Sequence, residues 1–185
     1  ALDHAATVTG LLLIAPGGLA PSLGKPWKQR GSWWVAQWPD RILLPLTRVG
    51  NRFVATMMKS IVKDPAALAP AVVAEIKRLS RHPRAHLGYL RYNQATVGRN
   101  GMRNDVSDRV AEIAVPTLFF HGTDDPLVDP DDSRRAVARM PHARLVEVPG
   151  AGHWAQFDAP EAFWAAADAF LADLENAQRA SIAHG

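Results

Sequence analysis

An aspartate and a histidine, each placed just after a short apolar run, carry the clearest chemistry in this sequence. Asp125 follows the run from Pro116 to Phe120, and His153 follows the run from Leu145 to Val148. Such runs, rich in β-branched or aromatic residues, are typical of buried parallel strands. The two side chains should therefore meet at the carboxyl edge of one sheet, where open α/β sheets place their active sites. An aspartate that accepts the Nδ1 proton of a histidine leaves Nε2 to take a proton from a nucleophile, so this pattern predicts the acid and base of a nucleophilic triad.

The residues beside this pair are assigned structural roles. Glycine on both sides of Ala151 lets the backbone bend tightly, so that the imidazole of His153 can point back across the strand ends. Asp124 adjoins Asp125, but neighbouring side chains in extended backbone point in different directions. His121 is expected to be structural, at a strand end beside the site. The other histidines lie on predicted helices or termini and receive no role: His4, His82, His86, His142 and His184.

The order strand, Gly-x-x-Asp, helix, strand, Gly-x-Gly-His, helix resembles the C-terminal third of an α/β-hydrolase. The resemblance puts Asp125, three residues after Gly122, at the family's acid position and His153 at its catalytic histidine. It implies the α/β class, with an incomplete α/β-hydrolase fold of three parallel strands, flanking helices and a helical cap insertion. Residues 1–22 and 109–185 would form the core. Residues 23–108 would form the cap, the lid that covers the site and shapes substrate choice.

Two segments resemble a narrower group, the carbon-carbon bond hydrolases that cleave ring-fission (meta-cleavage) products, and related esterases. The segments are Ala15 to Ser22 and Gly152 to Phe157. In that group the tryptophan after the histidine lies against the substrate. The resemblance therefore implies a small-molecule substrate in contact with Trp154, and with Gly17 and Gly18.

One position departs from that group's pattern. The group has a cap arginine that binds the substrate carboxylate, and the corresponding position here is Glu75, which would repel a carboxylate. Arg78 or Arg81 would have to replace it. The departure favours the broader description of an ester or carbon-carbon bond hydrolase.

The family's nucleophile elbow, Gly-x-Ser-x-Gly, does not occur in the 185 residues. The segment from Ala1 to Ile14 resembles the tail of the helix after the nucleophile, followed by the next strand. The elbow is therefore expected about ten residues upstream of Ala1, and both oxyanion donors are expected upstream as well. Residues 1–185 alone should then be inactive or nearly so, because the triad has no nucleophile and no oxyanion hole.

Three functional interpretations remain open. The first is a serine hydrolase of esters or carbon-carbon bonds, and the second is an epoxide hydrolase or dehalogenase with an aspartate nucleophile. The third is a non-catalytic fragment that binds a partner through an exposed sheet edge. The strand from Leu11 to Ile14 is expected at such an unpaired apolar edge, which invites association. The partner would be a missing N-terminal half, a second chain or another copy of this chain.

Composition limits the partners and the kinds of chemistry that this sequence can have. The 21 basic and 18 acidic residues leave a net charge of only +3. The basic residues Lys77, Arg78, Arg81 and Arg84 are interpreted as the solvent face of a helix, so no nucleic-acid partner is expected. There is no cysteine, which excludes a disulfide, a thiolate nucleophile and a cysteine-based metal site. No metal or other cofactor is implied.

The apolar N-terminal segment does not predict a membrane span or a secretion signal. Its apolar run, Leu11 to Ala15, is broken by Pro16-Gly17-Gly18, and no basic segment precedes it. No membrane association and a cytoplasmic location are therefore expected.

Periodicity and capping signals divide the rest of the chain. Pro21 to about Trp38, rich in Pro, Gly, Lys and Trp, is expected to be irregular. Asp129-Pro130 predicts a helix start with Asp129 as cap, so that Asp131 and Asp132 serve the helix dipole rather than a metal. One or two helices are predicted at Asp40 to Val62, and single helices at Ala69 to Arg81, Pro83 to Val97 and Val106 to Ile113. The last, Pro160 to Leu174, would turn Phe163, Trp164, Phe170 and Leu171 toward the sheet, before a frayed tail from Asn176.

Two sets of large side chains in the predicted cap could line an acyl or aromatic pocket. They are Met57 with Met58, and the cluster of Trp33, Trp34 and Trp38. Ordinary packing between cap helices is the simpler interpretation of both sets.

Overall fold

Three parallel strands form the sheet of the structure, a computed structural model that describes residues 1–23, 25–51, 53, 57, 61–82 and 85–183. The strands are β1 (Leu11–Ile14), β2 (Thr117–Gly122) and β3 (Ala143–Val148). Their order is β1-β2-β3, with Leu11 opposite Thr117 and Thr117 opposite Ala143. The predicted fold class is confirmed, and within the described residues β1 is an edge strand.

Four helices of the described chain lie between β1 and β2 in sequence, and three more follow β2. In chain order they are α1 (Pro26–Ala36), α2 (Asp40–Asn51), α3 (Pro70–Ser80), α4 (Ala85–Thr96), α5 (Pro130–Val137), α6 (Ala155–Asp158) and α7 (Pro160–Ala183). Short 3₁₀ helices span Ala5–Thr7, Pro65–Ala67 and Ser107–Glu112. In the described part of the chain, none of the helices combines the length and apolarity that crossing a membrane requires.

The described chain divides into two units. Unit 1 comprises Ala1–Leu19, Ile61–Lys63 and Asp108–Gly185, and unit 2 comprises Ala20–Ser60 and Asp64–Ser107. Residues 61–63, which lie inside the predicted cap insertion, therefore group with the sheet.

The middle strand, β2, forms the centre of unit 1. Leu118, Phe119 and Phe120 are all at most 1% exposed. Because side chains alternate along a strand, successive phenylalanines enter different clusters. Phe119 packs with Val110, Ile113, Ala136 and Met140, and Phe120 packs with Ala151, Ala155 and the edge of the Phe163 ring. Packing on both faces holds the carboxyl end of β2, and the loop that follows it, in place.

Helix α5 begins as its sequence predicts. The Asp129 side chain accepts a hydrogen bond from the Asp131 backbone N–H at 3.0 Å, and Pro130 takes the first helical position. The predicted start with Asp129 as cap is confirmed. Asp131 and Asp132 form ion pairs with Arg134 and Arg135 one turn on.

Helix α7 corrects two predictions. Phe163 packs against the sheet and Phe170 is 5% exposed, but Trp164 and Leu171 are 61% and 51% exposed and do not face it. Trp164 directly follows Phe163, and Leu171 directly follows Phe170, so each is rotated by about 100° around the helix from a residue that faces inward. The tail predicted to fray from Asn176 is helical as far as Ala183, because it is rich in strong helix formers. Gly185 and His184 lie outside the described residues.

Helix α1 corrects the prediction of an irregular segment from Pro21 to Trp38. Pro26 occupies the first helical turn, the one helical position that favours proline, and the helix contains only one glycine, Gly31. Fully buried Gln29 then secures the helix by donating from Nε2 to the carbonyls of Gly98 and Gly101 at 2.5 and 3.0 Å.

The two ends of unit 2 are tied together by backbone contacts. The Met102 N–H donates to the Pro21 carbonyl at 2.8 Å, and a β-bridge pairs Val97 with Met102. The chain therefore enters and leaves unit 2 at neighbouring points, as an insertion between two strands requires.

Unit 2 contains an apolar cavity of about 750 Å³. Its described lining includes Leu23, Trp27, Val35, Leu43 and Leu90. Of the tryptophans, Trp27 lines the described part of this cavity, whereas Trp33, Trp34 and Trp38 of the predicted cluster are not among its described lining residues. Trp34 and Trp38 instead pack edge to face at 5.1 Å, and Trp33 lies under the Arg99 guanidinium. Met57 is 55% exposed, and Met58 lies outside the described residues.

Candidate active site

The loop after β2 holds the Asp125 carboxylate by its own backbone. Asp125 Oδ1 accepts hydrogen bonds from the N–H groups of Leu127 at 2.8 Å and Val128 at 3.0 Å. Asp125 Oδ2 lies 2.8 Å from Nδ1 of His153 and 3.0 Å from Nε2 of His121. Both oxygens of this fully buried side chain therefore have partners in fixed directions.

The loop after β3 turns at Gly150 and is tied to the loop after β2. Gly150 has a φ of +74°, the left-handed backbone that glycine adopts without strain. Its N–H donates to Thr123 Oγ1 at 2.8 Å, the Thr123 N–H donates to the Val148 carbonyl at 3.0 Å, and the Asp124 N–H donates to the Ala151 carbonyl at 3.0 Å. These bonds fix the position of His153 relative to Asp125.

Gly122 makes this close approach possible. A Cβ atom at Gly122 would lie 2.3 Å from the carbonyl oxygens of both Ala151 and Gly152. Real Cβ atoms essentially never make so short a contact. Only glycine therefore lets the loop after β3, which carries His153 and is called the histidine loop below, lie directly against the end of β2.

Together these elements give an aspartate and histidine pair at the carboxyl edge of the sheet. Asp125 accepts the Nδ1 proton of His153, whose side chain is 22% exposed. Nε2 of His153 makes no hydrogen bond to any residue that the structure describes, so it is the nitrogen left for a reacting group. Asp124, in contrast, is 50% exposed and pairs with Lys63 Nζ at 2.8 Å.

Two opposing effects set the pKa of Asp125. Burial acts to raise it, and hydrogen bonds from His121, His153 and the N–H groups of Val128 and Leu127 act to lower it. The hydrogen bonds prevail, and the pKa lies well below its ordinary value of 3.8. Asp125 is therefore an anion at neutral pH, as a partner for an imidazolium must be.

The low pKa of Asp125 makes stability depend on pH. Because the folded-state pKa lies below the unfolded value, this contribution is fully present above pH 3.8 and is lost as the pH falls through that value toward the folded pKa. We expect the stability lost in Asp125→Asn to be largest at neutral pH and to shrink in acid. Urea unfolding of both proteins at about pH 7 and about pH 3 measures this. An equal loss of stability in Asp125→Asn at both pH values would contradict this expectation.

Residues Ile61–Lys63 form a strap across the histidine loop. The Trp154 N–H donates to the Ile61 carbonyl at 3.1 Å, and the Lys63 N–H donates to both Asp158 oxygens at 2.9 and 3.0 Å. Asp158 Oδ2 also accepts from the Gly152 N–H at 2.8 Å. Asp158 thus connects the strap to Gly152, on the other side of His153.

Loss of the Asp158 carboxylate should loosen this loop. We expect Asp158→Ala to lower the free energy of unfolding by about 1 to 2 kcal/mol and to speed amide exchange at Gly152 and Lys63, because both N–H groups lose their acceptor. Denaturant titration and hydrogen exchange measure the two effects. Asp173→Ala, in an exposed pair with Arg144, is the matched control and should change neither. Unchanged exchange in Asp158→Ala would show that the carboxylate does not hold the loop.

Sequence reasoning missed the roles of Lys63 and Asp158, and also the contact of Ser133 Oγ with Nδ1 of His121 at 2.8 Å. Asp158 precedes Ala159-Pro160, a pattern that by itself suggests only a helix start. Lys63 lies far from the site in sequence, and Ser133 lies on helix α5. No local pattern marks Lys63 as the partner of Asp124 or Ser133 as the partner of His121.

The predicted substrate contacts lie at the same edge of the sheet. Gly17 and Gly18 follow β1, and Gly18 has a φ of +87°. Trp154 is half-buried and packs 5.5 Å from the Phe157 ring. In unit 2, Arg78 forms a two-point pair with Glu75 at 2.6 and 2.7 Å, so its charge is already matched.

The sequence profile of the alpha/beta hydrolase fold family matches residues 1–160, and the chain belongs to that family. It is 30% identical over 164 residues to 2-hydroxy-6-oxo-6-phenylhexa-2,4-dienoate hydrolase of Burkholderia cepacia, an alignment covering 88% of this chain and 54% of that protein. It is 29% identical, with the same coverage, to 2-hydroxy-6-oxononadienedioate/2-hydroxy-6-oxononatrienedioate hydrolase of Comamonas testosteroni. The predicted resemblance is confirmed, and the chain spans about half the length of these relatives.

Solved structures share the fold. An esterase from Thermogutta terrifontis superposes with a TM-score of 0.66 at 20% identity, covering 93% of this chain and 58% of that one. The 2-hydroxy-6-oxo-6-phenylhexa-2,4-dienoate hydrolase of Rhodococcus sp. strain RHA1 superposes with a TM-score of 0.62 at 19% identity, covering 95% of this chain and 58% of that one.

Proposed function

We propose that residues 1–185 supply the acid and the base of a hydrolase that cleaves esters or carbon-carbon bonds. The observation that carries the proposal is the 2.8 Å contact between Asp125 Oδ2 and His153 Nδ1, on loops that follow adjacent parallel strands. This arrangement fixes the histidine tautomer and directs Nε2 toward a reacting group.

The proposed mechanism has two halves, each with two proton transfers through His153 Nε2. In the first, Nε2 takes the proton of a nucleophile as it attacks the substrate carbonyl and gives that proton to the leaving group. In the second, Nε2 takes a proton from the water that attacks the acyl intermediate and gives it to the nucleophile as the acyl bond breaks. The imidazolium formed in between is stabilised by the Asp125 anion, to which it stays hydrogen-bonded. Asp125 remains ionised throughout, in keeping with its low pKa.

The nucleophile is proposed to lie outside residues 1–185. The sequence contains no Gly-x-Ser-x-Gly, and the chain aligns with only 54% of its curated relatives. A serine on such an elbow, together with two backbone N–H groups for the oxyanion, would complete the site. It would come from the rest of the native polypeptide, meaning the whole product of the gene that encodes these residues, or from a second chain.

The substrate is proposed to be a small acyl compound or vinylogous diketone. The relatives named above act on 2-hydroxy-6-oxo dienoates, and the structural neighbours include an esterase. Trp154, Gly17 and Gly18 are proposed to contact the substrate, since all three lie on loops at the edge that holds His153.

Steady-state hydrolysis tests this proposal. The native polypeptide is assayed with p-nitrophenyl butyrate and with 2-hydroxy-6-oxo-6-phenylhexa-2,4-dienoate, beside the 185-residue chain alone. We expect the native polypeptide to cleave at least one of them and the 185-residue chain to be inactive. Robust cleavage by the 185-residue chain would contradict the assignment of the nucleophile. Inactivity of the native polypeptide toward both, with turnover of an epoxide or haloalkane, would favour an aspartate nucleophile instead.

A further inference from the structure

A second imidazole, that of His121, shares the Asp125 carboxylate with His153. His121 Nε2 lies 3.0 Å from Asp125 Oδ2, and His121 Nδ1 lies 2.8 Å from Ser133 Oγ. His121 and Ser133 are both 0% exposed, so no substrate can reach them from solvent. Ser133, His121 and Asp125 thus form a buried chain of hydrogen bonds behind the proposed acid and base.

The neighbours of the His121 ring determine where its protons lie. Nε2 faces Asp125 Oδ2 and, at 3.3 Å, the backbone carbonyl of Val128. An ionised carboxylate and a carbonyl can only accept, so Nε2 must carry a proton. Among the described residues, Nδ1 contacts the Ser133 hydroxyl, which can donate. The Nε2–H tautomer therefore satisfies every contact of the ring.

We propose that His121 is a positioning residue for the acid, and that Ser133 orients His121. His121 donates to Oδ2, the same oxygen that receives the His153 Nδ1 proton. Oδ1 is held by the backbone of Leu127 and Val128. Without His121, Oδ2 would keep only the partly exposed His153 as a donor. The buried carboxylate would then be incompletely hydrogen-bonded, which is unfavourable. A shift toward water or another donor would relieve this cost and would weaken its bond to His153. This catalytic meaning rests on the proposed function of Asp125 and His153.

Imidazole NMR on the ¹⁵N-labelled native polypeptide tests the inference without any substrate. The His121 signals are assigned by their loss in His121→Gln. We expect a pyrrole-type Nε2 and a pyridine-type Nδ1, with an Nε2 proton that exchanges slowly with water. An Nδ1–H tautomer or an imidazolium at neutral pH would overturn the proton assignment.

Variants test the positioning role through the Nδ1 proton of His153, which reports on its bond to Asp125. In His121→Leu, which has no donor, this proton should exchange with water about 10-fold faster or more, because the carboxylate no longer holds it. His121→Gln retains an N–H near the position of Nε2 and should restore part of the protection. Ser133→Ala should give a smaller increase in the same direction. The exposed His142→Gln is the matched control and should have no effect.

The outcomes separate this inference from the proposed function. Unchanged His153 exchange in both His121→Leu and Ser133→Ala would overturn the positioning role. If His121→Leu fails to fold, Ser133→Ala alone decides the question. If the exchange changes as expected but the native polypeptide hydrolyses nothing, His121 still positions Asp125 and the proposed function is the part that fails. In an active native polypeptide, kcat should fall about 10- to 100-fold in His121→Leu with KM unchanged, because a misplacement of about 1 Å in a catalytic group can cost about 10²-fold.

Discussion

Replacing His153 with alanine should lower kcat for ester hydrolysis by the native polypeptide by about 10⁴-fold or more. The reason is that Nε2 of His153 is the proposed acceptor of the nucleophile's proton. Asp125→Asn should cost about 10⁴-fold as well, because an amide cannot hold the Nδ1–H tautomer or stabilise the imidazolium. KM should change little in either variant, because neither side chain is proposed to bind the ground state. Steady-state kinetics with p-nitrophenyl butyrate measures both.

Two comparisons make this prediction specific. His142→Ala removes an exposed imidazole from the turn before β3 and should leave kcat within about twofold of wild type. Asp124→Asn should also have a small effect, since Asp124 pairs with Lys63 in a largely exposed position. A loss in Asp124→Asn that equals the loss in Asp125→Asn would show that the acid is wrongly assigned.

Gly122→Ala should produce the largest loss of stability among single-methyl substitutions at the site. The new Cβ would lie 2.3 Å from two backbone oxygens, those of Ala151 and Gly152, and backbone cannot rotate away as a flexible side chain can. The histidine loop would have to move away from β2, and we expect a cost of about 3 kcal/mol, at the upper end of overpacking effects. Urea unfolding followed by circular dichroism measures this cost.

Two other glycines serve as controls for this effect. The Cβ added by Gly150→Ala would have no atom within 4 Å, but the alanine would have to adopt a φ of +74°. This substitution should therefore lower the free energy of unfolding by only about 1 kcal/mol. Gly31→Ala, within helix α1 and also without a close neighbour, should raise stability by about 0.5 to 1 kcal/mol. If Gly122→Ala were no more damaging than Gly150→Ala, close packing of the two loops would not be what requires glycine at Gly122.

The parts of the fold that sequence could predict are those with a strong local cause. The apolar runs before Asp125 and His153 become β2 and β3, because strands packed on both faces must be apolar on both. Asp129 and Pro130 start helix α5, because each side chain meets the need of a helix N-terminus directly. The family resemblance followed from these elements in their order along the chain.

The parts that could not be predicted depend on distant contacts. Gln29, buried against the carbonyls of Gly98 and Gly101, helps to order a segment whose composition suggested a loop. Trp164 and Leu171 are as apolar as their neighbours Phe163 and Phe170, and only the rotation of α7 on the sheet separates exposed from buried positions. The strap from Ile61 to Lys63 pairs through its backbone, which carries almost no sequence signal.

Labelling with a fluorophosphonate tests the central claim most directly, because the reagent phosphonylates a serine that a general base has activated, and His153→Ala shows whether His153 is that base. The native polypeptide is labelled, digested and analysed by mass spectrometry beside His153→Ala. We expect the label on a serine outside residues 1–185 and a loss of labelling in the variant. A label on a serine within residues 1–185, or labelling at an undiminished rate in His153→Ala, would contradict the claim that Asp125 and His153 serve a nucleophile supplied from elsewhere.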